Sequence, residues 1–269
     1  MPDPLRVAIL TMRPGGFSAI CAEKILKTEC VRLVGIVIDE QRVTGRRRHF
    51  LRRLKKFLKL GPLALVPAMW VRRQARLERD IAGAPLDRLA AARGVPVLRV
   101  PSVNSAAVGK ALKEWKADLA LSLTNSLMKE RTFAAARLGT LNVHHGKVPE
   151  FRGSPPVLWE IYEGASRVGW TIHRIEAGVD TGPVLKTGEV PLEIADTLEE
   201  TYRRTRRAVF ESSAQGLVEL LGRIAAGEFA PVAQEKTGVP ARTTPTYRQW
   251  RRIRRQFERM VPTRRDGAG

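Results

Sequence analysis

The sequence predicts an α/β fold, a Rossmann-like, mostly parallel twisted sheet with helices on both faces. Two short apolar runs, RVAIL (6–10) and VRLVGIVID (31–39), enclose a Gly-rich turn and a segment with helical spacing at 17–28. This strand–turn–helix–strand order with continuously apolar strands is typical of a parallel sheet that is covered on both sides.

The same pattern resumes further along the chain, where apolar runs again alternate with segments of helical spacing. Further strands are predicted at 95–100, 117–123, 140–144, 169–175 and 183–192. Further helices are predicted at 85–94, 105–116, 133–139, 157–164 and 196–227. For the last of these helices we expect Asp196 as the N-cap and Glu199 as its partner in a capping box.

The positive charge of the chain is concentrated in two segments. The 269 residues carry a formal net charge of +20. Residues 46–79 hold twelve Lys or Arg and one acid, and residues 241–269 hold nine Arg and two acids. The rest is nearly neutral, which does not indicate a body that binds nucleic acid generically. We expect a main domain at 1–235 that includes a basic helical insertion at 46–79, and a basic C-terminal helical tail at 236–269.

The insertion contains a basic amphipathic helix followed by an apolar stretch that Pro67 interrupts. Its apolar face consists of Phe50, Leu51, Leu54, Phe57 and Leu58. One interpretation is a helix that lies on an anionic membrane surface or partner. The other is a helical insertion that packs on the sheet and exposes its arginines, and the sequence leaves both open.

The tail carries an apolar stripe among its arginines. The stripe consists of Tyr247, Trp250, Ile253 and Phe257. This spacing predicts a C-terminal helix docked on the body. Binding of RNA through phosphate contacts is the alternative; we disfavour nucleic acid as a partner without excluding it.

The cysteines and the N-terminal sequence indicate in which cellular compartment the protein is expected. Cys21 and Cys30 do not suggest a disulfide framework, which favours a reducing cytoplasm. We see no signal-peptide pattern and no apolar run of membrane-spanning length. We expect a cytoplasmic protein, with peripheral attachment to the inner membrane surface left open by the insertion; the oligomeric state is not predicted.

Chemistry-bearing side chains occur at the end of the strand in LNVHHGKVPEFRG. Asn142 and His144 should point to one side of the strand and His145 to the other. An imidazole can take or give a proton near neutral pH, and a carboxamide N–H can stabilise an oxyanion. A carboxylate to orient the imidazole is available at Asp180, in the loop EAGVDTGPVL. Each feature alone is also compatible with an ordinary strand end or turn.

In combination these motifs resemble a known family. The order N-V-H, V-P-E-F-R-G-S-P-P, V-L-W-E-I-Y-E-G and G-W-T-I-H-R-I-E-A-G-V-D-T-G-P-V-L is similar to that of N10-formyltetrahydrofolate-dependent formyltransferases. The resemblance implies that Asn142 binds the formyl oxygen, that His144 relays a proton, and that Asp180 holds His144 and orders a water. It implies N10-formyltetrahydrofolate as the formyl donor, and no metal.

The resemblance also implies binding residues. Those for the donor are Ser126, Leu127, Met128, Phe133, Glu176, Ala177, Gly178 and Val179. Those for the acceptor are Arg13, Gly15, Gly16 and His145. The family most often has Pro at the position of His145, which therefore reaches the acceptor or is an exposed loop imidazole. His173 is predicted to pack or to support the site.

The acceptor is predicted to be the primary amine of a small molecule, such as an amino sugar on a nucleotide or lipid carrier. Members that formylate methionyl-tRNA carry a further C-terminal barrel, for which the residues after Gly227 are too few. Methionyl-tRNA formylation and formyltetrahydrofolate hydrolysis remain alternatives. So do a metal-dependent hydrolase that uses His144, His173 and Asp180, and a non-catalytic basic binding protein on the same fold.

Overall fold

The computed structural model of the chain describes residues 3–40, 63, 65–77, 85–125, 127–235 and 237–261. The apolar face predicted at 50–58, the predicted donor residue Ser126 and the end of the tail lie outside the described residues. Among the helices that are described, none is both long and apolar enough to cross a membrane.

A single seven-stranded sheet organises the described chain. Its strands are β1 (Leu5–Thr11), β2 (Val31–Asp39), β3 (Val97–Val100), β4 (Leu119–Leu123), β5 (Thr140–His144), β6 (Arg167–Arg174) and β7 (Val184–Pro191). Their order across the sheet is β3-β2-β1-β4-β5-β6-β7. The first five run parallel, and β6 and β7 add antiparallel pairings at one end. The order reverses between β1 and β4, where α/β sheets open a crevice at the carboxyl ends of their strands.

Helices cover both faces of the sheet, as the sequence predicts. They are α1 (Phe17–Ile25), α2 (Leu65–Leu77), α3 (Leu86–Ala92), α4 (Ala106–Glu114), α5 (Glu130–Phe133), α6 (Leu158–Glu163), α7 (Leu198–Ala225) and α8 (Tyr247–Met260). Strand β1 shows why two layers are needed, because its successive side chains enter different cores. Val7 and Ile9 join the core under α1 and α7, whereas Ala8 and Leu10 join the core under α4.

Helix α7 begins one residue later than the sequence suggests. Its N-cap is Thr197, whose hydroxyl accepts a hydrogen bond from the backbone N–H of Glu200. The expected cap Asp196 and partner Glu199 are therefore wrong by one residue. Both pairs have the same spacing, and the threonine one step on is an equally good cap.

The short helix predicted at 133–139 lies one turn earlier, in α5. The backbone N–H groups of Arg137 and Leu138 donate to the carbonyl oxygens of Ala117 and Asp118 instead of to their own segment. Because these bonds tie the segment to the start of β4, its backbone forms a turn instead of a helix.

Helix α2 is the described part of the insertion, and its inner side packs on the body. The Trp70 ring lies 5.1 Å from the ring of Tyr202 and 5.1 Å from that of Trp250. Pro67 is tolerated because it lies in the first turn of the helix. Helix α2 thus packs on the body through its inner side, while Leu65 and Met69 on the outer side are exposed. The two interpretations of the helix predicted at 50–58 stay open.

The tail forms the docked helix that its stripe predicts. Trp250, Ile253 and Phe257 are buried in the main core. The helix begins with a capping box between Thr246 and Gln249, a common N-terminal device.

Candidate active site

A cavity of about 720 Å³ opens at the carboxyl ends of β1, β4 and β5. Its lining comes from the turn after β1, the loop after β4, the end of β5, the β6–β7 loop and one side chain of α7. This is the edge of the sheet at which ligands bind in open α/β folds. Asn142, His144 and Asp180 all line it, so the three side chains predicted from separate motifs share one cavity.

His144 is held between two oxygen atoms. Its Nε2 donates a hydrogen bond of 2.8 Å to the carbonyl oxygen of Phe151. Its Nδ1 lies 3.5 Å from Oδ2 of Asp180. Burial lowers the pKa of His144, while the charge of Asp180 opposes that shift. The neutral imidazole therefore has its proton on Nε2 and keeps a lone pair on Nδ1, facing the carboxylate.

Asp180 is fixed as a carboxylate by its loop. Its backbone adopts a left-handed conformation with φ of 51°, and its Oδ2 accepts a 2.9 Å hydrogen bond from the N–H of Gly153. Burial alone would raise the pKa of Asp180. The contacts of Asp180 with His173, His144 and the Gly153 N–H outweigh burial and hold that pKa at about 2. Asp180 is therefore ionised at neutral pH.

Asn142 and His173 face each other across the antiparallel β5–β6 pair. Asn142 Nδ2 lies 3.2 Å from Nε2 of His173 and donates a longer bond of 3.4 Å to Oδ1 of Asp180. The Nδ1 of His173 donates to the carbonyl oxygen of Arg174. The structure thus places His173, predicted to pack or support, directly against two of the three predicted catalytic side chains.

The predicted donor residues are mostly, but not all, brought to the cavity. Leu127, Met128 and the loop 176–179 line it. Phe133 is not among the lining residues, and its carbonyl oxygen accepts a hydrogen bond from Thr140. The sequence also missed Asn104, which fixes the loop after β4 by bonding the backbone of Leu127 and Lys129.

The predicted acceptor residues divide in the same way. Arg13 and His145 line the cavity, whereas Gly15 and Gly16 do not. Gly16 instead precedes the first turn of α1, with φ of 58°, a conformation that glycine adopts without strain.

His145 is not the exposed loop imidazole that we considered. It is 8% exposed, and its ring centroid lies 4.5 Å from that of Phe17 and 5.0 Å from that of Phe210. The strand ends at His144, so side-chain alternation does not carry His145 away from the cavity. Side chains of α7 bury His145, and the residues next to His145 in the sequence do not indicate this contact.

Arg206 was also missed. It is 6% exposed, lines the cavity, and places its Nη1 3.0 Å from Nδ1 of His145. In RRTRRAVF it looks like one of several solvated arginines. The helical period indicates that Arg206 is buried, because the buried residues Tyr202, Val209 and Phe210 lie three or four positions away from it along α7.

A comparison with family models now decides the family. The model described as Formyl transferase matches residues 72–219, more than half of the chain. The chain belongs to the formyl transferase family. Members of this family transfer a formyl group from a folate-type donor, so the cavity is the place where that chemistry is expected.

Curated relatives of the chain include methionyl-tRNA formyltransferases. The protein from Bacteroides thetaiotaomicron is 27% identical over 161 residues, covering 60% of this chain and 49% of the relative. That from Stenotrophomonas maltophilia strain K279a is 32% identical over 163 residues, covering 60% and 52%. The chain thus spans about half the length of the curated relatives it matches.

Solved structures support the fold of the chain. Glycinamide ribonucleotide transformylase 1 from Symbiobacterium toebii superposes with a TM-score of 0.58 at 16% identity, covering 86% of this chain and 95% of that one. A formyltetrahydrofolate deformylase from Pseudomonas syringae pv. tomato gives 0.52 at 17% identity, covering 82% and 62%. Within the described residues, no group of three or more His, Cys, Asp or Glu side chains is arranged to hold a metal ion.

Proposed function

We propose that this protein transfers the formyl group of N10-formyltetrahydrofolate to the primary amine of a small acceptor. The observation that carries the proposal is the meeting of Asn142, His144 and Asp180 on one cavity, with His144 Nδ1 3.5 Å from Asp180 Oδ2. Transfer between two nitrogen atoms needs an oxyanion donor and a group that moves a proton. The three side chains supply both.

Asn142 serves as the donor to the oxyanion. When the amine attacks the formyl carbon, the carbonyl oxygen gains negative charge and needs an N–H donor about 3 Å away. One N–H of Asn142 is held only by the 3.4 Å bond to Asp180. That bond is the weaker of the two that the Asn142 amide makes, so exchanging it for a hydrogen bond to the formyl oxygen costs the least free energy.

His144 moves the proton. Its Nδ1 lone pair accepts a proton from the attacking amine, and Asp180 then stabilises the imidazolium across the short gap between them. The proton passes to the folate nitrogen as the carbon–nitrogen bond to the donor breaks. A water ordered by Asp180 completes the relay when the two nitrogen atoms are too far apart for direct transfer.

The donor lies against the loop after β4 and the loop 176–179. These loops present exposed apolar side chains at the cavity, with Leu127 70% and Val179 39% exposed. Exposed apolar groups of this kind are typical of ligand sites, since a flat aromatic ring covers them on binding. Phe133, which does not line the cavity, and Ser126 both stay predictions for the donor site.

Nucleotide-linked or lipid-linked amino sugars remain our preferred acceptors. Formylation of methionyl-tRNA is the first alternative, since the curated relatives named above carry that name. Hydrolysis of the donor is the second, since one similar fold belongs to a deformylase. A basic binding protein without activity is the third.

One incubation separates these functions. The protein is mixed with N10-formyltetrahydrofolate and either buffer, nucleotide amino sugars, small amines or methionyl-tRNA, and released tetrahydrofolate is followed by absorbance. We expect release that depends on a small amine, with the formylated amine identified by mass spectrometry. Release without any amine indicates hydrolysis, release with the tRNA alone indicates the tRNA enzyme, and no release in any mixture contradicts catalysis.

We also propose that the outer surface of α2 binds anionic membranes. It exposes Leu65, Val66 and Met69 in its first turns, and Leu63 lies beside them. The exposed Arg72, Arg73 and Arg76 lie on the same side of the helix, because they follow Met69 at spacings of three, four and seven residues. Apolar side chains beside arginines match the boundary between acyl chains and anionic headgroups.

Vesicle flotation tests this second proposal. We expect the protein to float with vesicles that contain phosphatidylglycerol and not with pure phosphatidylcholine. Replacing Leu65 and Met69 by Ser should reduce flotation severalfold, while the same change at Val239, another exposed apolar residue, should not. Unchanged flotation of the double variant would reject this surface as the contact.

A further inference from the structure

Arg206 is a cation fixed in the wall of the cavity. A guanidinium keeps its protons at any ordinary pH and can only donate hydrogen bonds. Because its Nη1 lies 3.0 Å from His145 Nδ1, that nitrogen must accept. The proton of His145 therefore sits on Nε2, which faces Ser213 Oγ at 3.4 Å, and Ser213 in turn donates to the carbonyl oxygen of Phe210.

This arrangement makes His145 a support and not a proton carrier. Burial, then the Arg206 charge, lowers the pKa of His145 well below its usual range. Its ring packs against Phe17 and Phe210, and the Arg206 guanidinium lies 4.4 Å over the Phe210 ring. The guanidinium thus has a fixed position, which lowers the entropy cost of binding a partner.

Arg206 reaches the cavity from a different wall than the loops proposed to hold the donor. The donor loops come from the ends of β4 and β6, whereas Arg206 comes from α7, which packs on α1 behind the turn after β1. Its charge also contributes to the lowered pKa of His144. An anion bound by Arg206 would therefore lie close to the nitrogen that is formylated.

We infer that Arg206, positioned by His145, binds a carboxylate or phosphate group that the acceptor carries near its amine. The fork of a guanidinium matches both anions with two parallel hydrogen bonds, and a buried site strengthens such bonds. The acceptor class is then a small anionic amine. This inference rests on the proposed transferase function, whose acceptor it specifies.

Matched pairs of amines test the inference. The phosphate pair is O-phosphoethanolamine and ethanolamine, and the carboxylate pair is β-alanine and propylamine, each with saturating N10-formyltetrahydrofolate. The wild-type protein should prefer the charged member of at least one pair in kcat/KM by about 10- to 100-fold, the value of a charged hydrogen bond. Arg206→Gln should remove that preference, mainly by raising the KM of the charged member towards that of the uncharged one.

Controls separate this effect from misfolding. Arg207→Gln removes the same charge from an exposed neighbour on α7 and should keep the preference. Arg206→Lys keeps the charge without the planar fork and should retain part of the preference for the charged amine. If Arg206→Gln does not fold, Arg206→Lys takes its place as the test variant. A preference that survives in the folded Arg206 variant, or is absent in the wild type, overturns the inference.

Calorimetry with O-phosphoethanolamine and β-alanine distinguishes failure of the inference from failure of the proposed function. Both are titrated into wild-type and variant protein saturated with a folate analogue. Binding that weakens tenfold or more in Arg206→Gln alone supports the inference even without turnover, and equal or absent binding rejects it. Absence of folate-analogue binding contradicts the transferase function itself, separately from the anion result.

Discussion

At the scale of single residues, the chemistry of the site depends on the charge balance between His144 and Asp180. Burial disfavours the imidazolium, and the carboxylate favours it. Because burial prevails, the imidazole is neutral at neutral pH, as the proposed mechanism requires of a group that takes up the proton lost by the amine. Asp180, with its pKa held at about 2, remains ionised and ready to stabilise the product of that step.

The pH dependence of transfer follows from this balance. Since the pKa of His144 is below its ordinary value of 6.5, kcat should fall with acidification only at pH values below that figure. Asp180→Asn removes the charge that raises the His144 pKa, so the acidic limb should move to still lower pH. The plateau should fall by about 10²–10⁴-fold, the range of general acid–base catalysis.

The measurement is kcat against pH at saturating acceptor. Asp87→Asn, at an exposed carboxylate that bonds Arg99, is the control and should behave as the wild type. An Asp180→Asn profile with the wild-type limb and plateau would refute the role of Asp180.

At the scale of elements, the site loop after β5 is fastened by the chain that leads into α8. Gly153 pairs with Arg242 in an isolated parallel bridge. The backbone of Arg242 donates to Arg152 and accepts from Ser154. Since Gly153 also donates to Asp180, the position of the carboxylate depends on a segment about sixty residues further along the chain.

Gly153→Ala tests this link. Its φ is +90°, and a Cβ there would lie 2.1 Å from the carbonyl oxygen of Arg242. We expect a loss of about 2–4 kcal/mol in the free energy of unfolding, measured by urea denaturation. Transfer should fall as well, because the Gly153 N–H moves away from Asp180.

Substitutions at two other glycines separate backbone strain from steric contact in this loss of stability. Gly227 has φ of +92° with open space around it, so Gly227→Ala measures the backbone strain alone. Gly238 also has open space, and Gly238→Ala should be within about 0.5 kcal/mol of the wild type. A Gly153→Ala protein no less stable than Gly227→Ala would show that the contact with Arg242 is not tight.

At the scale of the whole molecule, three distant segments share one aromatic cluster. Trp70 of α2 contacts Tyr202 of α7 edge-to-face and Trp250 of α8 in a tilted arrangement, both at a ring-centroid distance of 5.1 Å. Such pairs contribute beyond their buried area. The cluster joins the insertion and the tail to the helix that carries Arg206.

Trp250→Ala should therefore destabilise the protein by about 3–5 kcal/mol, as for other buried aromatic side chains. Chemical denaturation measures the loss. Arg251→Ala, at the exposed neighbour on α8, should change stability by less than about 0.5 kcal/mol. Equal stability of the two variants would mean that α8 contributes little to the body.

The sequence predicts the sheet well, because the apolar content of parallel strands is a local property. β2 and β5 have the predicted bounds, and β7 differs by one residue at each end. The Asn142 and His144 pair follows from the same strand periodicity, and Asp180 from its loop together with the family resemblance.

What the sequence does not predict depends on distant packing. The burial of His145 is decided by Phe210, 65 positions later in the chain. Arg206 is selected from a run of arginines only by the side of α7 that meets the sheet.

The most direct test of the proposed function is single-turnover formyl transfer by Asn142→Ala and His144→Ala, with an acceptor identified in the incubation above. Formation of tetrahydrofolate is followed at equal saturation of the donor, with folate-analogue binding measured for each variant. We predict rates at least about 10²-fold below the wild type for both variants, with binding of the analogue retained. Wild-type rates in either variant would contradict the proposed catalytic site.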